Sequence, residues 1–287
     1  MKSRGVLYMV AAALAFSLMS MLVKLASARI PTGELVLARV VFTLVASYVM
    51  VRRAGLDMWG TRRGALALRG FVGSAALAFY FLAIAHLPLA DATTLHFTQP
   101  ILTALLAWWL LGERVGWSAA FAIACGIAGV LLVVHPGVPL GAGADALGVT
   151  FGLLSAGLSA IVYVTVRELS KTEHPLVIVF YFPLIATPLA IPWAVMSFVW
   201  PTPSEWLILI GIGVATQLGQ VFMTISLSIE RAARATAVGY AQICFAVVWQ
   251  IVIFDALPAV GTIVGAALII VGTLVVSATA KPDVPAP

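Results

Sequence analysis

Apolar runs long enough to cross a bilayer follow one another along almost the whole chain, interrupted only by short stretches of Gly, Pro or charge. They fall at 5–27, 32–51, 65–86, 90–111, 116–134, 146–167, 174–197, 204–228, 234–254 and 257–279. A hydrocarbon core about 30 Å thick needs about 20 such residues at 1.5 Å of helical rise each. Backbone N–H and C=O groups in lipid must be satisfied within the protein, and unbroken apolar runs of this length do so as helices. Only 9% of the 287 residues are charged, against about 25% in soluble domains. No water-facing surface can be built from that stock. The expectation is an all-α membrane protein with ten transmembrane helices and no room for a sizeable soluble domain.

The N-terminus resembles a secretory signal, with Lys2 and Arg4 before an apolar run from Gly5 to Val23 and then Ala26-Ser27-Ala28. That run exceeds the usual h-region of about 7–15 residues and further spans follow at once, so it is expected to remain as the first helix. Cys125 and Cys244 lie in apolar stretches without His or acidic residues at metal-ligand spacing. Both read as packing residues, and neither metal nor cofactor is expected. The net charge of +5 comes from basic residues scattered between spans, which reads as topology rather than as a nucleic-acid surface.

Lys2 and Arg4, the Arg52/Arg53/Arg62/Arg63 connection, Arg114, Arg167 with Lys171, Arg231 with Arg234, and Lys281 occupy alternate connections, with Arg29 the one exception. By the positive-inside rule both termini face the cytoplasm, which requires an even number of spans. The expected location is a bacterial-type inner membrane, crossed many times.

A shift of 143 residues lays the second half on the first without a gap. Gly5 falls on Gly148, Ser27 on Ser170, Gly70 on Gly213, Phe79 on Phe222, Thr93 on Thr236, Gln99 on Gln242 and Gly129 on Gly272. The expected units are 1–143 and 144–287. Each holds five spans, an odd number, so the second enters the membrane upside down. Inverted repeats are a feature of secondary transporters, whose cargo site lies near the midplane where the repeats meet.

The chain resembles the EamA-type branch of the drug/metabolite transporter superfamily over nearly its full length. The resemblance rests on Pro88-Leu89-Ala90-Asp91-Ala92 opening the fourth span, Leu111-Gly112-Glu113-Arg114-Val115 closing it, and the Gly-rich fifth and tenth spans. In the second copy Phe254-Asp255-Ala256-Leu257-Pro258 stands where Gly-Glu-Arg would be. The resemblance implies ten helices with the third, fourth, eighth and ninth near a central cavity. It also implies cargo among amino acids, nucleotide-derived metabolites, sugar phosphates or drugs, and bacterial exporters of aromatic and other amino acids are similar in length and layout.

Polar side chains within spans should face a neighbouring helix or a wet cavity, because unpartnered polar groups in hydrocarbon are costly. Such stripes are Ser17, Ser20 and Lys24 in the first span, Thr93, His96, Gln99 and Thr103 in the fourth, and Ser155, Ser159 and Tyr163 in the sixth. The eighth span carries Gln217, Gln220 and Thr224, and the ninth Gly239, Gln242 and Trp249. Together with Phe79, Tyr80, Phe97 and Tyr240 they suit a cavity for a small zwitterion, amides and hydroxyls meeting its polar groups and rings its apolar part. The bland alternative is interhelical hydrogen bonding, with Ser and Thr bonding their own backbone. Arg39 is the deepest charge, about eight residues into the second span. It is placed either to hold a cargo carboxylate or to pair with Glu34 or a backbone carbonyl. Lys24 and Arg167 read as snorkelling to the headgroups.

Acidic residues sit at span ends, so no carboxylate is placed as a mid-membrane proton carrier. Uniport or exchange is therefore expected over proton antiport, with His96 the first suspect if that fails. Pro100, Pro183, Pro188, Pro192 and the glycines Gly211, Gly213 and Gly219 are candidate bends. Gly261 and Gly265 read as packing within a repeat, which favours a monomer over a dimer. No phosphate loop, H-E-x-x-H, Ser-His-Asp set or filter loop argues for an enzyme or a channel. The expectation is a carrier of small zwitterions, amino acids foremost and in the export direction. S-adenosylmethionine-like metabolites or amphiphilic drugs are the alternative.

Overall fold

The computed structural model describes residues 4–99, 101–102, 117–134, 145–169, 172–229 and 239–279. Its helices are α1 (Arg4–Ala26), α2 (Thr32–Arg53), α3 (Arg63–His86), α4 (Leu89–His96), α5 (Trp117–Val134), α6 (Ala146–Leu169), α7 (Pro175–Met196), α8 (Pro203–Ile229), α9 (Ala241–Phe254) and α10 (Val260–Thr279). Six of them, α1, α2, α3, α6, α7 and α8, are long and apolar enough to cross a membrane. Helix starts follow local chemistry. Pro31 and Pro88 immediately precede α2 and α4, while Pro175 and Pro203 open α7 and α8, where a missing N–H costs nothing. His174 accepts from the Leu176 N–H and caps α7.

The fourth span departs from the unbroken helix expected over 90–111. The α4 segment ends at His96, and a turn at Phe97–Thr98 follows, after which Thr98 O accepts from the amides of Ile101 and Leu102. Pro100 has no N–H for the His96 carbonyl and its ring would crowd that carbonyl, which weakens the helix at this point, although α7 runs on through Pro183, Pro188 and Pro192. Tyr240, which the 143 shift lays on Phe97, also lies in a turn, immediately before α9. Thr103, Leu111–Val115 and the charges at 230–234 lie outside the described residues, as do the side chains of Tyr163, Arg167 and Thr224.

Packing exposes the inversion. α2 and α7 are equivalent under the shift and run antiparallel. A Cβ on Gly33, at the start of α2, would lie 2.9 Å from Trp193 near the end of α7, while Tyr48 near the end of α2 meets Phe180 near the start of α7 at 6.5 Å. Two copies in the same orientation would place these helices parallel. The pairs α1–α8 and α3–α6 are one contact seen twice. Gly5, Tyr8 and Phe16 meet Ser226, Phe222 and Gly219 in the first. In the second, Leu87, Phe79 and Gly73 meet Gly148, Phe151 and Val162. A twofold axis perpendicular to the helices, hence lying in the membrane plane, relates the halves.

α5 and α10 also pair across that axis. A Cβ on Gly129 would lie 2.8 Å from the Gly265 carbonyl and 2.7 Å from Ile269. This corrects the reading of Gly265 as packing within one repeat, because the small residue lets the two repeats approach each other. One face of the molecule carries Arg4 and Thr279 and is called the terminal face; the other, with the α1–α2 and α3–α4 connections, is the distal face. Cys125 is buried, whereas Cys244 is exposed on α9, so packing accounts for only the first.

Candidate functional site

Buried polar side chains from both repeats converge close to the axis. Arg39 lies seven residues inside α2, about 10 Å from its distal end at 1.5 Å per residue, and is 7% exposed. Its guanidinium lies over the Phe81 ring at 5.4 Å and faces Tyr80 and His96. The Tyr80 hydroxyl meets the Ser20 hydroxyl at 3.0 Å, and Thr93 and Gln242 face it. The Tyr80 and His96 rings lie 4.3 Å apart, and His96 Nδ1 meets Ser155 Oγ at 2.8 Å. Phe97 bridges His96 at 5.9 Å and Tyr240 at 5.3 Å. Phe97 and Tyr240 are equivalent under the shift, so their contact marks the axis itself. Gln99 and its equivalent Gln242 are both buried beside these rings in sequence.

Among the described residues Arg39 has no acidic partner. The ion pairs among the described residues are Arg29–Glu205 and His86–Asp145, and the Arg39 Nε is buried without an acceptor. Glu34, the expected partner, instead accepts from the Val199 N–H at 3.2 Å. A guanidinium held against an aromatic face, with its Nε unanswered among the described residues, presents a donor for an anion. The His96–Ser155 pair does not make a catalytic set, because Ser155 is fully buried and no carboxylate among the described residues orients the ring.

The sequence-predicted residues do not all meet. Phe79 stacks on Phe151 at 5.8 Å, turned toward α6 and away from Arg39. Gln217 and Gln220 line a separate cavity of about 200 Å³ between α2, α7 and α8, with Ser47, Met50, Leu176 and Val179. There the Gln217 Nε2 donates to Met50 Sδ at 3.1 Å while its Oε1 is buried without a donor. Arg39, Thr43 and Ser47 sit at i, i+4 and i+8 on α2, all buried, and this stripe joins the cluster to that cavity. The stripe was missed, although its helical spacing was legible.

Gln250 was also missed. Its Oε1 accepts from the Ala90 N–H at 2.9 Å, so α9 of one repeat caps the short α4 of the other. Asp91, in the same turn, accepts from Thr262 on α10. Lys24 does not snorkel: its Nζ donates to Leu87 O at 2.8 Å and Ala85 O at 3.2 Å. Carbonyls ending α3 lack intrahelical donors, and the half-buried Lys24 ammonium answers that need better than a long reach to the surface. Ser17 accepts from the Trp249 indole N–H at 3.1 Å.

Inverted five-helix halves with polar side chains drawn to their common axis define a multi-pass membrane carrier, not an enzyme. The chain belongs to the EamA-like transporter family, whose model matches residues 3–135 and again 146–278. It is 38% identical over 280 residues to the pseudopaline exporter CntI of Pseudomonas aeruginosa, covering 96% of this chain and 97% of that protein. It is 31% identical over 285 residues to solute carrier family 35 member G1 of Mus musculus, covering 94% of this chain and 77% of that one. One solved crystal structure is similar in fold, with a TM-score of 0.64 at 19% identity over 94% of this chain and 96% of the other.

Proposed function

We propose that this chain exports small zwitterionic metabolites, amino acids foremost, across a bacterial inner membrane by alternating access, with repeats at 1–143 and 144–287. The observation that carries the reading is the buried Arg39, without an acidic partner among the described residues, beside Tyr80 and His96, with Gln242 facing the Tyr80 hydroxyl. The guanidinium takes a cargo carboxylate. Amide and hydroxyl groups of Gln99, Gln242 and Tyr80 take its remaining polar groups, and Phe97 and Tyr240 its apolar part. Gln217 and Gln220 line the approach along the α2 stripe. The concentration of Lys and Arg at alternate connections supports a cytoplasmic terminal face with both termini inside.

Uniport or exchange is the energy mode, since Asp and Glu among the described residues lie at helix ends or in connections. A pH jump that alone drives cargo uphill in proteoliposomes would refute it. The 38% identity to a pseudopaline exporter favours a second reading, in which the cargo is pseudopaline or chemically like it. Counterflow with purified protein in liposomes, against amino acids, pseudopaline, S-adenosylmethionine and cationic drugs, separates the readings. Saturable exchange of amino acids supports the first. Exchange confined to another class replaces it.

A further inference from the structure

We propose that Glu205 and Glu173 are the carboxylates of two symmetry-related latches, one on each membrane face, whose alternate release opens the central cluster to one side at a time. The proposal rests on the alternating access put forward above and adds the parts that gate it.

On the distal face, Arg29 in the α1–α2 connection binds Glu205 in the first turn of α8. Its Nε donates to Oε1 at 2.6 Å, its Nη2 to Oε2, and the same Nη2 to Trp200 O at 3.0 Å. On the terminal face, Glu173 in the α6–α7 connection binds the α2–α3 connection. Its Oε1 accepts from the N–H groups of Thr61 at 2.9 Å and Arg62 at 2.6 Å, and from the Thr61 hydroxyl. The 143 shift carries the α1–α2 connection onto α6–α7, and the α2–α3 connection onto the start of α8. The same two segments are thus tied on both faces, by an ion pair on the distal side and by two backbone amides and a hydroxyl on the terminal side. Arg62 stands where Glu205 stands in the other half, and the carboxylate comes from the opposite segment each time.

Beneath each latch lies an apolar plug, and the plugs match residue for residue. Ala26, Leu35, Ala194 and Leu209 on the distal side are 3%, 0%, 1% and 3% exposed. Their equivalents Leu169, Ile178, Val51 and Leu66 on the terminal side are 1%, 3%, 0% and 0% exposed. Gly60 is where latch and plug touch: at φ +58°, a Cβ there would lie 2.7 Å from the Glu173 Oε2 and 2.9 Å from Leu66. Both latches are closed in this structure, and the Arg39 cluster lies between them. The Arg29–Glu205 pair is partly exposed, and ties of that kind are weak, as a contact broken in every cycle must be, whereas Glu173 is buried at 7% exposure and is held by neutral donors.

The test uses the full-length chain with C125A and C244A, reconstituted in liposomes and carrying one reporter, A194C under the distal latch or V51C under the terminal one. Labelling by an impermeant maleimide from the matching side, without cargo, reads each plug. Glu205→Gln should raise A194C labelling about two- to fivefold, the scale of an exposed ion pair, without raising V51C. Glu173→Gln should do the reverse. The exchanged pair R29E/E205R should restore wild-type A194C labelling, and Thr61→Ala should raise V51C labelling should E173Q fail to assemble. No change in either reporter, or a rise at the same reporter in both variants, in protein of unchanged melting temperature, overturns the latches. Because labelling needs no cargo, reciprocal labelling with no amino-acid exchange would sink the cargo reading and leave the latches standing.

Discussion

Replacing Arg39 with Leu should make the protein more stable and nearly useless as a carrier of carboxylates. An arginine at the centre of a span costs about 2.5–3.5 kcal/mol by insertion scales. Its compensation here is the Phe81 ring at 5.4 Å, a contact worth about 0.5–2 kcal/mol. Leu removes both, for a net gain of about 0.5–3 kcal/mol and a higher melting temperature. Cargo binding moves the other way. A guanidinium–carboxylate contact at about 4 Å is worth about 4 kcal/mol at an effective dielectric of 20 before desolvation. Hydrogen bonds to charged groups net about 1.5–3 kcal/mol, so half-saturation in counterflow should rise about 10- to 150-fold. The cargo's carboxamide analogue should be indifferent to the change, and Arg39→Lys should fall between, keeping charge but losing the two-pronged fork. A lower melting temperature with unchanged half-saturation would refute the reasoning and make Arg39 a structural residue.

Gln250→Leu should lower the melting temperature by leaving the buried Ala90 N–H unanswered, at about 1–3 kcal/mol, while Gln250→Glu, which keeps an acceptor, should cost less. Gly33→Ala should destabilise by about 1–3 kcal/mol through overpacking, because its Cβ would lie 2.9 Å from the Trp193 ring and 3.0 Å from its backbone. Glu173 is held below the ordinary carboxylate range by the Thr61 hydroxyl and then by the Arg62 and Thr61 amides. A depressed pKa means that the stabilisation is complete above the ordinary value of about 4.5 and is lost as pH falls below it. The ratio of V51C labelling in the otherwise unchanged chain to that in E173Q, both taken at the same pH so that the thiolate fraction cancels, should therefore rise toward one on acidification below that range.

The spans were legible because lipid imposes a length and a polarity on each, whatever its neighbours. Boundaries for α2 and α3 missed by two residues at the charged ends, where arginines extend a helix into the headgroups without a hydropathy signal. The break after His96 was written in Pro100 but was read as a bend, because a single proline specifies the lost bond and not what replaces it. Polar stripes on the ninth and fourth helices were legible from helical spacing. Their destinations were not: Gln242 and Gln217 look alike in sequence, yet one faces Tyr80 and the other Met50. Gln250 gave no signal at all, since its partner is a backbone amide 160 residues away.

Periodicity, the positive charges at alternate loops and the 143-residue self-match determined from sequence alone that this is a ten-helix membrane protein of two inverted halves. Those properties depend on each span's relation to the bilayer, a one-dimensional constraint that every residue reports locally. Only the tertiary structure decided that Arg39 has no acidic partner among the described residues, that Lys24 closes α3, and that Glu205 and Glu173 tie equivalent segments on opposite faces. Those facts depend on which helix faces meet across the twofold axis, and that is settled by shape and by unsatisfied polar groups finding one another over long separations.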